Sequence, residues 1–390
     1  MTVRRVHKIL GLSVAALWLI QILTGVLLTF RMEIDNTLLG GTDAPLQVES
    51  MDQRIGAIQS AGGTVSSVWV TNFAATRFDV LYADAAHHER KMRVDGAGRV
   101  LRDGPGDSRW VNGGFFATLT DIHTTLLVGE PGKWLIAASG LLLVSNLILG
   151  LKLAWPRRGY WWKSLVLRTS RNPTANFYGL HRTLGLYIAF PLLLLVSAGI
   201  ALCFDDDLEA ALHVVRDPPA ISAVTPGVAA PVAAARAVAE FPVTARGMTP
   251  ARALTLALAR FPGATLTALS MPTREEPWYR VKLHIPGEVS RMYGLTAVYL
   301  SPVDGSVLRE YSAASASLTR LMLDWIYPVH TAEAGGVVAR VLLVCIGIAL
   351  LAMGYLGIRL WSVRSAQRQK NEFGAQRKMN PARSGSSGSK

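Results

Sequence analysis

Four of the eight histidines in this 390-residue chain fall into two spaced pairs. His7 and His181 each head an apolar run, in Val6-His7-Lys8-Ile9-Leu10-Gly11-Leu12 and Leu180-His181-Arg182-Thr183-Leu184-Gly185-Leu186. Each is followed by a cation and then by Leu-Gly, at a constant offset of 174 that also matches Gly25 to Gly199 and Phe30 to Phe204. An offset of 207 relates His123 to His330, Gly98-Arg99-Val100-Leu101-Arg102 to Gly305-Ser306-Val307-Leu308-Arg309, and Leu149-Gly150-Leu151-Lys152-Leu153 to Leu356-Gly357-Ile358-Arg359-Leu360. Two neutral imidazoles facing each other across a gap are the axial ligand set of a six-coordinate b-type haem. Pairing equivalent positions, His7 with His181 and His123 with His330, makes these four the expected iron ligands of two b-type haems. Gly25 and Gly199 lie 18 residues after their histidines, five helical turns, so they share that face and open it to a flat group. The competing use of the same histidines is interfacial, touching headgroups or capping helices. No Cys-x-x-Cys-His occurs, so a haem here is not attached through that motif.

The elements that would position them are membrane helices. Apolar runs at about 9–30, 134–153, 183–204 and 338–361, the first and third without any charge, are each long enough for a hydrocarbon core about 30 Å thick. The net charge of +13 is compatible with nucleic acid, but the cations follow membrane topology instead. Residues 152–182 hold seven Lys/Arg and no Asp or Glu, and Arg4, Arg5, Lys8, Arg359, Arg364, Arg368 and Lys370 flank the outer runs. Both termini and the central loop therefore read as cytoplasmic, in a bacterial inner membrane, and no nucleic-acid partner is expected. Cys203 and Cys345 fall in apolar runs, so disulfides do not organise the outer segments.

The divisions that follow are transmembrane helix 1 at 1–30, an outer α+β module at 31–112 and an interfacial segment with His123 at 113–133. Helix 2 spans 134–155, a basic loop 156–182 and helix 3 183–204. A Pro/Ala-rich outer linker covers 205–250, a second α+β module 251–315 and an interfacial segment with His330 316–337. Helix 4 at 338–361 and a disordered tail at 362–390 complete the chain. Each module reads as a short helix followed by strands, with a turn at Asp95-Gly96-Ala97-Gly98 in the first. The fold class is thus a mainly α membrane protein: four transmembrane helices in two parallel tandem repeats, with two small periplasmic modules.

Around the histidines, Arg5, Lys8 and Arg182 on the inner side and Lys133 and Arg340 on the outer side are candidates to bind haem propionates. Positive-inside anchoring accounts equally for the inner ones, and snorkelling for the outer ones. Asp121, two residues before His123, is a candidate to orient that ring, or else a helix-start carboxylate. Trp110, Trp325 and Tyr327 are candidate neighbours of an acceptor site or plain interface anchors. His87, His88, His213 and His284 read as loop, linker and strand residues.

His123-x-x-Leu126-x-x-Gly129-x-x-Gly132, His330-Thr331 followed by Gly335-Gly336, and the His-x-x-Leu-Gly helix starts resemble the PepSY-associated transmembrane helix family. Phe261-Pro262-Gly263-Ala264 and Tyr299-Leu300-Ser301-Pro302-Val303-Asp304-Gly305 are similar to PepSY domains. The family includes iron-regulated inner-membrane proteins and ferrisiderophore reductases. The resemblance implies a haem-binding oxidoreductase that passes electrons to periplasmic ferric siderophores. The first module departs from the pattern, with Ala97 where Asp304 stands. With no Gly-x-Gly-x-x-Gly after a strand and no Walker sequence, the electron donor is expected to be a quinol or a separate cytoplasmic reductase. The alternatives are a quinone-linked transmembrane cytochrome b and a haem-free PepSY sensor or transport accessory protein.

Overall fold

A computed structural model describes residues 2–167, 170–212, 247–274, 276–289 and 292–379. The chain folds as two units: residues 1–25, 137–197 and 342–390, and residues 26–136 and 198–341. Among the described residues three helices are long and apolar enough to cross a membrane: α6 (Glu130–Ala154), α8 (Pro173–Leu202) and α12 (Gly336–Met379). Each contributes residues to both units.

In the first unit the opening span is not the continuous helix expected over 1–30. It is α1 (Val3–Ser13) and α2 (Ala15–Leu28), bent by 61°. The Ser13 hydroxyl donates to the Ile9 carbonyl at 2.9 Å, and the Val14 N–H reaches Leu10 O only at 3.4 Å. A hydroxyl inserted in this way bends a helix. A second correction concerns α8, which starts at Pro173 and places His181 and Arg182 inside a helix rather than at its head. The Asn172 side chain accepts from the Thr174 N–H at 2.9 Å, and a proline at the first helical position needs no donor. The basic segment 156–182 therefore holds the first turns of α8 as well as a short helix, α7 (Trp161–Leu165). Trp161 packs on Trp155 with centroids 5.0 Å apart, and both rings are exposed, as in an aromatic belt at a membrane interface. A third correction is the tail: α12 runs on to Met379, because the Gln-, Arg- and Ala-rich sequence after Trp361 favours helix once a turn is in place. Leu19, Leu23, Leu141, Ile148, Phe190, Leu194 and Ile348 are exposed on these helices, as lipid-facing residues must be.

In the second unit α3 (Arg31–Leu39) leads to α4 (Val48–Ser60) and strands β1 (Thr64–Val70), β2 (Arg77–Ala83), β3 (Glu89–Asp95) and β4 (Val100–Pro105). Helix α5 (Phe115–Thr125) and the start of α6 follow, and α9 (Asp205–Ala211) comes after α8. Then come α10 (Pro250–Arg260), β5 (Thr265–Ser270), β6 (Tyr279–His284), β7 (Thr296–Leu300), β8 (Val307–Tyr311) and α11 (Leu318–His330). Residues 213–246, most of the expected linker and His213 with it, lie outside the described residues.

The two expected modules are not separate. Their strands form one eight-stranded sheet, β4-β3-β2-β1-β5-β6-β7-β8, joined by antiparallel pairing of Ser67, Val68 and Trp69 with Ser270, Leu269 and Ala268. Edge strands with unpaired backbone groups and apolar side chains find each other for the reason any exposed edge is sticky. Val68 and Leu269, central to this seam, are fully buried. One core packs Met51 and Ile55 of α4 with Ala253, Leu254 and Ala257 of α10 over Val80, Val281 and Val298. The Asp52 carboxylate caps α10 by accepting from the Ala251 N–H at 3.0 Å. Along β7 the alternate residues Ala297 and Tyr299 join Trp278 in a second cluster, so this strand is buried on both faces.

The expected turn at 95–98 is built by Asp95, whose buried carboxylate accepts from the N–H groups of Ala97 and Arg99. In the second copy Asp304 accepts from the N–H and hydroxyl of Ser306, and those bonds hold its carboxyl down at about 2. The departure at Ala97 is thus a two-residue shift of the turn-forming aspartate.

A buried ionic group ties α3 to the sheet. Asp35 accepts from Arg102 at 3.1 and 3.2 Å and pairs with Arg93 at 3.1 Å, while Arg93 also pairs with Asp79. Burial pushes the Asp35 carboxyl up, but the Arg102 hydrogen bonds and the charges of Arg93 and Arg102 outweigh it and hold the group below the usual carboxylate range. Its stabilisation is therefore complete above the unfolded value of about 3.9 and is lost as pH falls through the lower native value. Asp35→Asn is expected to cost about 2 kcal/mol at neutral pH. Thermal unfolding of both proteins from pH 7 down to pH 3 should show the gap closing in acid; a gap independent of pH overturns the assignment.

Candidate functional site: two imidazole pairs

His7 and Gly11 lie one helical turn apart on α1, and so do Asn146 and Gly150 on α6. They interlock. His7 Nδ1 is 3.0 Å from the Asn146 carbonyl oxygen, and its ring lies on Gly150, where an added Cβ would meet His7 Cε1 at 3.1 Å. Gly11 in turn faces the Asn146 side chain, which an added Cβ would meet at 3.5 Å. The same arrangement recurs between α8 and α12. His181 Nδ1 is 3.2 Å from Met353 O, an added Cβ on Gly357 would stand 3.8 Å from His181 Cε1, and one on Gly185 would touch the Met353 methyl at 3.4 Å. A carbonyl oxygen only accepts, so Nδ1 must donate in both rings, which leaves the Nε2 lone pairs for a ligand.

The two rings face each other with centroids 6.4 Å apart and planes at 72°. In the second unit His123, in the last turn of α5, and His330, the last residue of α11, have centroids 6.2 Å apart and planes at 41°. An added Cβ on Gly199 would stand 2.7 Å from His330 Cε1, well inside contact distance. After His123 the chain turns through Leu126 and Leu127, both at positive φ (52° and 63°), before Gly129 at 67°. Left-handed backbone at two non-glycine residues costs on the order of 1 kcal/mol each and clusters at functional sites.

Two imidazoles that each place a nitrogen about 2 Å from one ion, on opposite sides, have centroids roughly 6.3 Å apart. Ring packing alone spans about 4.5–7 Å, so distance does not separate ligation from packing. In His7 and His181 the carbonyl that holds Nδ1–H is the kind of outer-shell partner that orients a metal-binding histidine. Among the described residues no group of three or more His, Cys, Asp or Glu converges, so each histidine pair is a two-ligand set and not a zinc-type cage. The residues fit an axially ligated haem.

A family model described as the PepSY-associated TM region matches residues 4–364, nearly the whole chain. The chain belongs to this PepSY-associated family. A search of curated proteins finds no match. The apolar helices and the family match together make it a membrane protein.

Within this PepSY-associated protein, several expected site residues have other work. Arg340 is buried, donates to both carboxylate oxygens of Glu33 at 2.5 and 2.8 Å and to Thr29 O, and lies over the Phe30 and Phe73 rings. Its guanidinium is spent, so it is withdrawn as a propionate partner. Lys133 pairs with Glu130 at 2.8 Å. Arg182 donates to Ala154 O and the Ser164 hydroxyl, tying α8 to the α7 segment. Arg5 and Lys8 are exposed. Asp121 is exposed and, two residues before His123, lies about 200° round α5 from it, so it does not orient that ring. Trp110 packs on Phe115, Tyr327 packs on Tyr293, and Trp325 is exposed, so the three aromatics do not form one site. His88 sits 3.6 Å from Asp84 on an exposed turn that holds His87 at positive φ, and His284 ends β6.

Sequence reasoning missed the role of the glycines. By its spacing Gly199 shares the face of His181 and is expected to make room for a flat group. What it admits is the imidazole of His330, from another helix. Gly150 and Gly357 carried the signal, because they share the 207 offset with the pair Asn146 and Met353 whose carbonyls hold the rings.

Proposed function

We propose that this protein is a di-haem b-type reductase of the bacterial inner membrane, passing electrons outward to reduce ferric siderophores and release Fe(II). The observation that carries the reading is the His7/His181 pair, two rings 6.4 Å apart with both Nδ1 atoms held by backbone carbonyls. His7 and His181 would hold one iron through Nε2, and His123 and His330 the other. Haem supplies reversible one-electron chemistry when bound. The chain's own part is to fix the ligand rings, through Asn146 O, Met353 O and the glycine seats, and to keep water from them with apolar helices. The two pairs would take electrons from a quinol or a cytoplasmic reductase. The basic segment and both terminal clusters face the cytoplasm in this reading, and the sheet-bearing unit faces the periplasm. The interlocked α1/α6 and α8/α12 contacts, at equivalent spacings, support two parallel tandem repeats, and the sheet is then two fused PepSY modules.

One electron delivered to a ferric chelate gives Fe(II), which hard oxygen ligands hold less well, so release needs no chemistry on the chelator. Purified protein should show the absorption of six-coordinate low-spin haem and about two haems per chain by pyridine haemochrome. Reduced anaerobically and mixed with a ferric siderophore, it should reoxidise and yield Fe(II) trapped by a ferrous chelator. Absence of haem ends the reading; reoxidation by quinone alone makes the protein a quinone-linked cytochrome b.

A further inference from the structure

In the second unit a cavity of about 210 Å³ opens between α3, α5 and β1–β3. Its charges are unevenly spent. Asp35 and Asp79 on its wall are both committed to Arg93, and Asp35 also to Arg102. Arg31, also on the wall, donates to the Thr120 hydroxyl at 3.1 Å and to the Tyr293 hydroxyl at 3.2 Å, both neutral. Lys91, half-buried, also lines the cavity. Among the described residues neither Arg31 nor Lys91 forms an ion pair, although Glu333 acts on Arg31 through its charge. Two cations with unspent donors in one cavity make a seat for an anion.

The cavity is also joined to an imidazole pair. Trp69, on its wall, packs edge-on against Tyr293 with centroids 6.2 Å apart, and Tyr293 packs against Tyr327 at 5.7 Å. Tyr327 and His330 are one turn apart on α11, on the same face. Burial, and then the neighbouring Tyr293, push the Tyr327 phenol up, so it stays protonated and lends the line a neutral aromatic contact, not a charge.

We propose that this cavity is the docking site of the electron acceptor, and that it takes an anionic, carboxylate-bearing ferric chelate held by Arg31 and Lys91 against Trp69. This rests on the reductase reading above. The cavity is below the ~300–1,000 Å³ of sites that enclose whole drug-sized ligands, so it grips a carboxylate arm with the rest of the chelate outside. The step is one electron from the donor-reduced protein to Fe(III), giving Fe(II), with no bond formed to the chain.

The test measures binding without turnover. Gallium(III) citrate, redox-inert and anionic, is titrated into the full-length protein by calorimetry, with a gallium trihydroxamate carrying no negative charge as comparison. Gallium citrate should bind, and Lys91→Glu should weaken it at least tenfold while haem content and melting temperature are unchanged. Arg31→Gln should act in the same direction. Unchanged affinity in Lys91→Glu, or equal affinity for the uncharged trihydroxamate, overturns the proposal even in a protein that carries both haems. Conversely, Lys91-dependent binding to a chain that lacks haem sustains the docking site and removes the haem reading.

Discussion

On the di-haem reading proposed above, His181→Ala should lower the haem content from about two per chain to about one, and His7→Ala should remove the same haem. The two rings sit 6.4 Å apart, each with its Nδ1 fixed on a carbonyl oxygen, and among the described residues no group of three or more His, Cys, Asp or Glu forms around them. Removing one imidazole would leave a single residue of the pair to hold the iron. Because the rings act as one unit, the double variant should lose no more than either single variant, the non-additivity expected of residues that share one task. His123→Ala and His330→Ala should together define the other haem, from rings 6.2 Å apart. Pyridine haemochrome counts and low-temperature spectra of the four variants decide it. Loss of the same haem in His7→Ala and His123→Ala would show the pairing to be wrong.

Gly199→Ala should act like His330→Ala, although it removes no ligand. A methyl group there would meet His330 Cε1 at 2.7 Å and Nδ1 at 3.1 Å, and a ring held at the end of a helix has little freedom to retreat. Overpacking of this kind costs about 1–3 kcal/mol when the neighbour can shift, and here the shift itself moves the ligand. Gly357→Ala is the control, since its methyl would stand 3.8 Å from His181 Cε1, an ordinary contact. Gly150→Ala, at 3.1 Å from His7 Cε1, should fall between them. Haem retention should therefore rank Gly357→Ala above Gly150→Ala above Gly199→Ala. Equal retention in all three would mean that the rings are not seated on these glycines.

The sequence by itself determined the apolar spans, the four histidines and their partners, and the helix-and-strands pattern of the outer segments. These are legible because hydrophobic period, residue type and spacing are local properties. The repeat offsets added a long-range statement that composition lacks: equivalent positions meet, and His7 with His181 and His123 with His330 are the ring pairs found. The tertiary structure decided what depends on a second segment. Whether the outer modules stand apart depends on the edges β1 and β5, and each strand reads the same whether its edge is free or paired. Arg340 looks like an unexplained cation until Glu33 is placed against it. The glycines reveal only that something comes close to the backbone; that it is an imidazole, and on which helix, is settled by packing. Even the tautomer of His7 and His181 is a tertiary fact, because the carbonyls that fix it lie 139 and 172 residues further along the chain.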